Sequence, residues 1–289
     1  VILVDMNQVM ISNIMVSIGS HKNIELDENM IRHMVLNSLR SYRKKYYSEY
    51  GELVLCFDDK NYWRKDQYPF YKANRKKNRD TSEINWNDLF RALNLIRDEL
   101  KEVFPYKNIQ VDKAEADDII GTLCHTYGTQ LNAGDTEQIL IMSADKDFIQ
   151  LQIYANVSQY DPIRKRWIRH DNPDAYILEH VLKGDSGDGV PNALSGDDCL
   201  VMGVRQKPMT AKKLSLLLHE LATTNTIRDE EVLRGYQRNQ TMIDLTYVPK
   251  NIQENILYKY QQEYGDRSKM FNYFIEHRLK HLLPDIGDF

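Results

Sequence analysis

The 289-residue chain is 42% hydrophobic and 28% charged with a formal net charge of -4, an ordinary globular composition that excludes a disordered, collagen-like or uniformly basic polypeptide. Its three cysteines, Cys56, Cys124 and Cys199, make no Cys-x-x-Cys pair, which argues against a disulfide framework or a zinc ribbon and for a reducing, cytoplasmic setting. No run approaches the roughly 20 apolar residues of a membrane span, so no membrane association is expected.

Val1 already lies inside an apolar run, so residues are expected to precede it; the run 1–4 reads as a short buried strand ending at Asp5. A helical stretch is expected near 28–47, then a second strand over 53–57 that ends at Asp58 and Asp59. Between Lys60 and Arg79 stand eight Lys or Arg and a single Asp, so a basic segment of about 60–86 is set on an otherwise acidic body. Leu89, Leu93, Ile96 and Leu100 recur at helical spacing and predict a helix over 87–103. A third strand is expected at 108–111, a helix at 115–127, a fourth strand at 139–142 and a marginal hairpin from 156–160 and 166–168. This alternation predicts an α/β fold with a mostly parallel central sheet flanked by helices. After about residue 169 the strand signals fade and helical patterns such as 210–221 and 269–283 take over, which divides the chain into 1–169 and a mainly helical 170–289.

The acids stand at repeated positions. Asp5 ends the first strand, Asp58 and Asp59 the second, Asp145 and Asp147 follow the fourth, and Glu115, Asp117 and Asp118 open the helix after the third. In an open parallel sheet those strand ends share one edge, where ligands bind. Carboxylates gathered there raise one another's pKa values unless cations neutralise them, and hard oxygen donors select Mg2+, with Mn2+ as a substitute, over zinc. A single Asp at a strand end is more often a cap, and Glu115 to Asp118 also suits an acidic first helical turn, but neither reading accounts for clusters at several equivalent strand ends. Such an array suits in-line hydrolysis of a phosphodiester between two cations. The eight histidines are scattered and are read as structural.

The motifs Val4-Asp5-Met6-Asn7, Phe57-Asp58, Tyr71-Lys72-Ala73-Asn74-Arg75, Glu115-Ala116-Asp117-Asp118, Ser143 onward and Gly184-Asp185-Ser186-Gly187-Asp188 resemble, in order, those of the flap endonuclease and 5'-nuclease family. The run Asn61 to Asp66 is most similar to the phage ribonuclease H branch of that family. The resemblance implies a PIN-like 5'-nuclease core with a helical arch near 60–86 and a helical C-terminal domain carrying a modified helix-hairpin-helix. It implies two Mg2+ ions, one held by Asp58, Glu115, Asp117 or Asp118 with Asp5 nearby, the other by Asp145, Asp147 and Asp188 with Asp185 close. Asp58 and Asp145 thereby count as catalytic, together with Lys72 and Arg75, which match the bases placed over the scissile phosphate. Implied substrates are DNA with a 5' flap or 5' end and RNA/DNA hybrid, with primer removal as the task; a single-strand-binding protein and a sliding clamp are candidate partners of a monomer.

Arg64, Lys65, Tyr71, Lys72, Arg75, Lys76 and Lys77 are candidate backbone contacts, and Tyr62, Trp63, Tyr68, Phe70 and Tyr71 candidate stacking platforms for unpaired bases. The chain departs from the family after Asp188. Asn192 and Ser195 stand where glycines are usual, and about twenty residues precede the helix near Thr210. Duplex grip is therefore expected to pass to Lys207, Lys212 and Lys213, with no K+ dependence. Alternatives are a PIN-type ribonuclease, which predicts about half this length, and a non-catalytic structure-selective DNA-binding protein. An aspartyl-phosphate enzyme would need a second Asp where Asn7 stands.

Overall fold

The computed structural model of the protein describes residues 1–18, 27–75, 85–129 and 136–289. The strands β1 (Ile2–Asp5), β2 (Leu53–Cys56), β3 (Lys107–Ile109), β4 (Ile139–Met142), β5 (Val157–Asp161) and β6 (Arg166–Ile168) form one sheet of order β3-β2-β1-β4-β5-β6. All neighbours run parallel except the β5–β6 hairpin. β3 lies one residue earlier and ends two residues sooner than its apolar pattern suggests.

β1, β2 and β4 are buried along their whole length because both faces are covered, which is why they read as continuous apolar runs. Ile2, Val4, Leu53, Leu55, Leu140 and Met142 point into one core, filled by α1 (Met6–Ile18), α2 (Glu28–Tyr50), α4 (Trp86–Val103) and α10 (Met270–Glu276). Leu3, Val54, Cys56, Ile139 and Ile141 point into the other, filled by α5 (Ala116–Tyr127) and α9 (Lys250–Gln261). The C-terminal helix is shorter than its pattern predicts: it stops at Glu276, and Arg278 follows in the left-handed region at φ 54°.

A third core has a different origin. Tyr68 and Tyr71, which follow α3 (Trp63–Gln67), pack with Val181 and Leu182 of α6 (Pro173–Lys183), Leu217 of α7 (Ala211–Thr224) and Tyr236, Met242 and Ile243 of α8 (Glu230–Ile243). The foot of the basic segment is therefore embedded in the C-terminal helices, while residues 76–84, which include Lys76 and Lys77, lie outside the described residues.

Between α2 and α4 a buried ion pair locks the first core. Arg32 donates to both oxygens of Glu99, at 2.7 and 2.6 Å, and Tyr273 Oη donates to Glu99 at 2.6 Å. Burial favours the neutral acid, but the Arg32 and Tyr273 bonds outweigh it and hold Glu99 below its ordinary pKa. A carboxyl depressed in the fold contributes stability in full above its unfolded pKa, roughly 4.3, and loses it as pH falls through the folded value. Glu99→Gln should therefore lower the urea midpoint at pH 7 and leave a flatter decline on the acid side, read by denaturation at a series of pH values from neutral into the acid range.

Candidate active site

The strand order reverses direction between β1 and β4, so the crevice at their carboxyl ends is the ligand position of an open α/β sheet. Asp5 closes β1, and its Oδ1 accepts from Gln8 N at 3.0 Å while its Oδ2 accepts from Ser143 Oγ at 3.1 Å, tying it to the end of β4. Asp58, just beyond β2, accepts from Ala116 N at 2.7 Å and from Asn7 Nδ2 at 2.6 Å, so the residue that replaces a second Asp at β1 serves to hold Asp58. Asp145 accepts from Asp147 N at 3.0 Å and so starts the 3-10 turn Lys146–Ile153. Asp185 follows α6, which stops at Gly184 because φ 69° there is open to glycine and the Pro191 carbonyl oxygen would lie 2.5 Å from any Cβ.

These acids feel one another. Burial and then Asp58 push Asp5 up to about 7. Burial and then Asp147 push Asp145 up to about 6. Asp117 is raised by burial, then by Asp145 and Asp5; Asp58 by burial and Glu115; Asp185 by burial and Asp188. Two acids go the other way. Burial opposes it, but Lys72 and Arg64 hold Glu115 low, and Lys72 and Arg75 hold Asp188 low.

Lys72 bridges the two halves of the rim. Its Nζ pairs with Glu115 and lies 3.4 Å from Asp188, and its backbone N–H donates to Asp188 O at 2.7 Å. The residue sits at φ 56°, a costly conformation for a side-chain-bearing residue, held here by those contacts. Arg75, half exposed, also pairs with Asp188. A cavity of about 680 Å³ opens beside Asp58, lined among others by Asn7, Tyr62, Phe90 and Arg97.

The donor set suits hard divalent cations. Asp5, Asp58, Asp117, Asp145 and Asp185 are crowded acids whose charged forms are disfavoured by burial and by each other, so positive charge at the rim relieves both costs.

Residues 2–179 match the family model described as the 5'-3' exonuclease N-terminal resolvase-like domain, and residues 171–289 match that of the T4 RNase H C terminus. The chain is 32% identical over 296 residues to the ribonuclease H of Enterobacteria phage T4, covering 99% of this chain and 95% of that protein. The chain belongs to the 5'-3' exonuclease family. A second relative, the flap endonuclease Xni of a Shewanella species, is 29% identical over 137 residues, covering 45% of this chain and 47% of that protein. The fold matches the T5 D15 protein co-crystallised with metal ions with a TM-score of 0.61 at 15% identity, over 90% of this chain and 99% of that one. The T5 5'-exonuclease with bound zinc gives the same TM-score at 16% identity, over 90% and 98%.

Within this nuclease, several side chains depart from the sequence reading. Arg64 is buried rather than presented to DNA: it lies 2.9 Å from Glu115 and 2.8 Å from Asp118, and its Nε donates to Met242 O at 2.8 Å. Asp118 is correspondingly committed to structure, accepting from Trp63 Nε1 at 3.1 Å and from Glu115 N at 2.9 Å, so it faces Arg64 and not the crowded acids. Trp63, Tyr68 and Tyr71 are core residues and offer no stacking face; Tyr71 Oη reaches Glu115 at 2.9 Å and Asp188 at 3.2 Å. Asp59 is spent on the backbone of Asn61 and Lys113.

The lengthened hairpin is held by the two residues that stand in place of glycines. Asn192 and Ser195 are buried staples: Asn192 Nδ2 donates to Lys207 O at 2.8 Å, and Lys207 N donates to Ser195 Oγ at 3.0 Å. Arg238 and Asn239 of α8 clamp the same loop through Pro191 O, and Gly235 allows the approach, since a Cβ there would meet Ala193 O at 2.3 Å. Lys65, Lys207, Lys212 and Lys213 are exposed.

One member of the site went unread in the sequence. His180 Nε2 lies 2.9 Å from Asp147 Oδ1, and ligand atoms of Asp147, His180 and Asp185 all fall within 4.8 Å of one another. Its signal was position: it occupies the last turn of the helix that delivers Gly184-Asp185.

Proposed function

We propose that the chain hydrolyses phosphodiester bonds near the 5' end of a strand, as a 5'-3' exonuclease and flap endonuclease on DNA and RNA/DNA hybrids, with removal of RNA primers as its task. The observation that carries this reading is the rim itself: acids from five separate chain segments, with Lys72 bridging Glu115 and Asp188 and Arg75 paired to Asp188. Asp5, Asp58, Glu115 and Asp117 would hold one Mg2+, and Asp145, Asp147, Asp185 and Asp188 a second. Bound there, the pair would polarise the phosphate, activate water and stabilise the departing oxygen. Residues 1–169 supply most of this rim, and residues 170–289 complete it with Asp185 and Asp188 and add the duplex grip.

Lys72 and Arg75 neutralise the phosphate that faces the acids. Lys72 is held by both backbone and side chain, so it meets the phosphate pre-positioned, where a preorganised cation counts most. Lys72→Ala should lower the single-turnover cleavage rate of a 5'-labelled flap by about 10²-fold or more while changing affinity far less. An equal loss in rate and affinity would make Lys72 a binding residue only. Magnesium-dependent cleavage of that flap, and of an RNA primer annealed to DNA, tests the reading as a whole.

Lys212 and Lys213 stand exposed in the first turn of α7, where their cations add to the helix N-terminus. Replacing both with Ala should weaken binding to flaps with a long duplex more than to single strands, and lower the salt slope by roughly two. Exchanging K+ for Na+ at constant ionic strength should change little. A marked K+ requirement would mean that the stapled hairpin still grips phosphate through its backbone.

A further inference from the structure

We propose that His180 is a nitrogen ligand of the ion site formed with Asp147 and Asp185, which makes this one of the two sites favour first-row transition ions, for which Mn2+ serves as the probe, over Mg2+. The inference rests on the two-ion reading above and adds to it a donor of a different chemical kind. Three observations carry it. His180 Nε2 and Asp147 Oδ1 are 2.9 Å apart, close to the roughly 3.0 Å between adjacent ligands of an octahedral ion bound at about 2.1 Å. Asp185 completes a set whose ligand atoms all lie within 4.8 Å. The ring is packed in place: it stacks on Tyr176, one turn earlier on α6, with centroids 5.7 Å apart and planes at 29°.

The geometry separates the two halves of the rim. The charged groups that act on Asp5 include Asp58 and Asp145, and those that act on Asp117 include Asp145 and Asp5, but no histidine, so that half offers oxygen donors and suits Mg2+. Adding a neutral imidazole exchanges one hard oxygen donor for a nitrogen, which divalent transition ions accept more readily than Mg2+ does, Mn2+ the least strongly and the ions after it in the row increasingly so. A hydrogen bond alone from His180 to Asp147 would orient the carboxylate and leave selectivity unchanged.

The test is made on the full chain, without nucleic acid, with two equivalents of Mn2+ as the probe. Electron spin echo modulation of the bound Mn2+ should carry a nitrogen-14 coupling in the unaltered protein. His180→Gln, which keeps a hydrogen-bond donor toward Asp147, should remove that coupling and weaken Mn2+ binding at one site by about tenfold, with Mg2+ binding changed far less. Absence of the coupling in the unaltered protein, or its persistence in H180Q with an unchanged circular dichroism spectrum, overturns the proposal. Asp147→Asn with Asp185→Asn separates this failure from that of the nuclease reading. If Mn2+ stoichiometry falls to one in that variant and no nitrogen coupling was seen, the carboxylate site stands and His180 alone is misassigned; if stoichiometry stays at two, the ion lies elsewhere and both readings fall.

Discussion

Replacing Asp145 and Asp147 together with Asn is expected to abolish cleavage, by at least about 10³-fold, while leaving the fold intact and DNA binding retained or tightened. The two side chains sit at the switch point of the sheet but outside its cores, so little packing depends on them. Asp145 is pushed up to about 6 by burial and by Asp147, so the native pair is a repulsive one in the absence of cations. Removing both charges relieves that repulsion and turns a less negative face to the phosphates. Asparagine also retains an oxygen to accept the Asp147 N–H bond that starts the 3-10 turn. Single-turnover assays with flap DNA, paired with thermal melts in chelator, read both halves of the expectation. Undiminished cleavage by the double variant would remove these residues from the site, and a collapsed melting temperature would make them structural.

The largest expected effect on stability comes from a residue that the charge pattern placed on the surface. Arg64→Met should destabilise the protein by about 3–5 kcal/mol, because Asp118, almost fully buried, would lose the cation it pairs with and buried Glu115 would be left with Lys72 alone. For a chain of this size that corresponds to a fall of roughly 10 °C in melting temperature. The neighbouring Lys65→Ala, at an exposed position, should shift stability by no more than about 0.5 kcal/mol. Activity should fall with Arg64→Met even at low temperature, since Glu115 takes its orientation from Arg64, Tyr71 and Lys72 together. Equal melting temperatures for the two variants would show that the buried triad tolerates an uncompensated charge.

What could be read from the sequence, and what could not, follows from the range of each signal. The strands of the parallel sheet declare themselves as apolar runs, and an acid at a strand end is a local feature whose placement then follows from the topology. Met6–Ile18 was not anticipated as a helix: Val9, Met10 and Ile14 are buried, but the segment has no charged residue to mark a polar face, so its periodicity is faint. Burial of Arg64 depends on a carbonyl at residue 242, far beyond any local window, and a basic run offers no hint of which member will turn inward. Glu115 and Asp118 satisfy a helix-capping pattern and a metal-ligand spacing equally well, and both pair with Arg64; only Lys72, which reaches Glu115, separates them. A lone histidine has no periodic signature, so His180 became visible only when α6 was set against the 3-10 turn.

The third core also governs when the enzyme can come into being. Tyr68, Tyr71 and Arg64, which position Lys72 and Glu115, have their packing partners as far along as Tyr236 and Met242. At a translation rate of about 5–20 residues per second, the foot of the basic segment waits on the order of ten seconds or more after leaving the ribosome before those partners are made. The strands of the sheet, through Ile168, are synthesised well before that, but the helices α9 and α10 that fill its two cores come later still. The growing chain therefore carries the acid-bearing strands with their cores still open and the rim unfinished, and cleaving capacity arrives as a late step, with the last helices rather than with those strands.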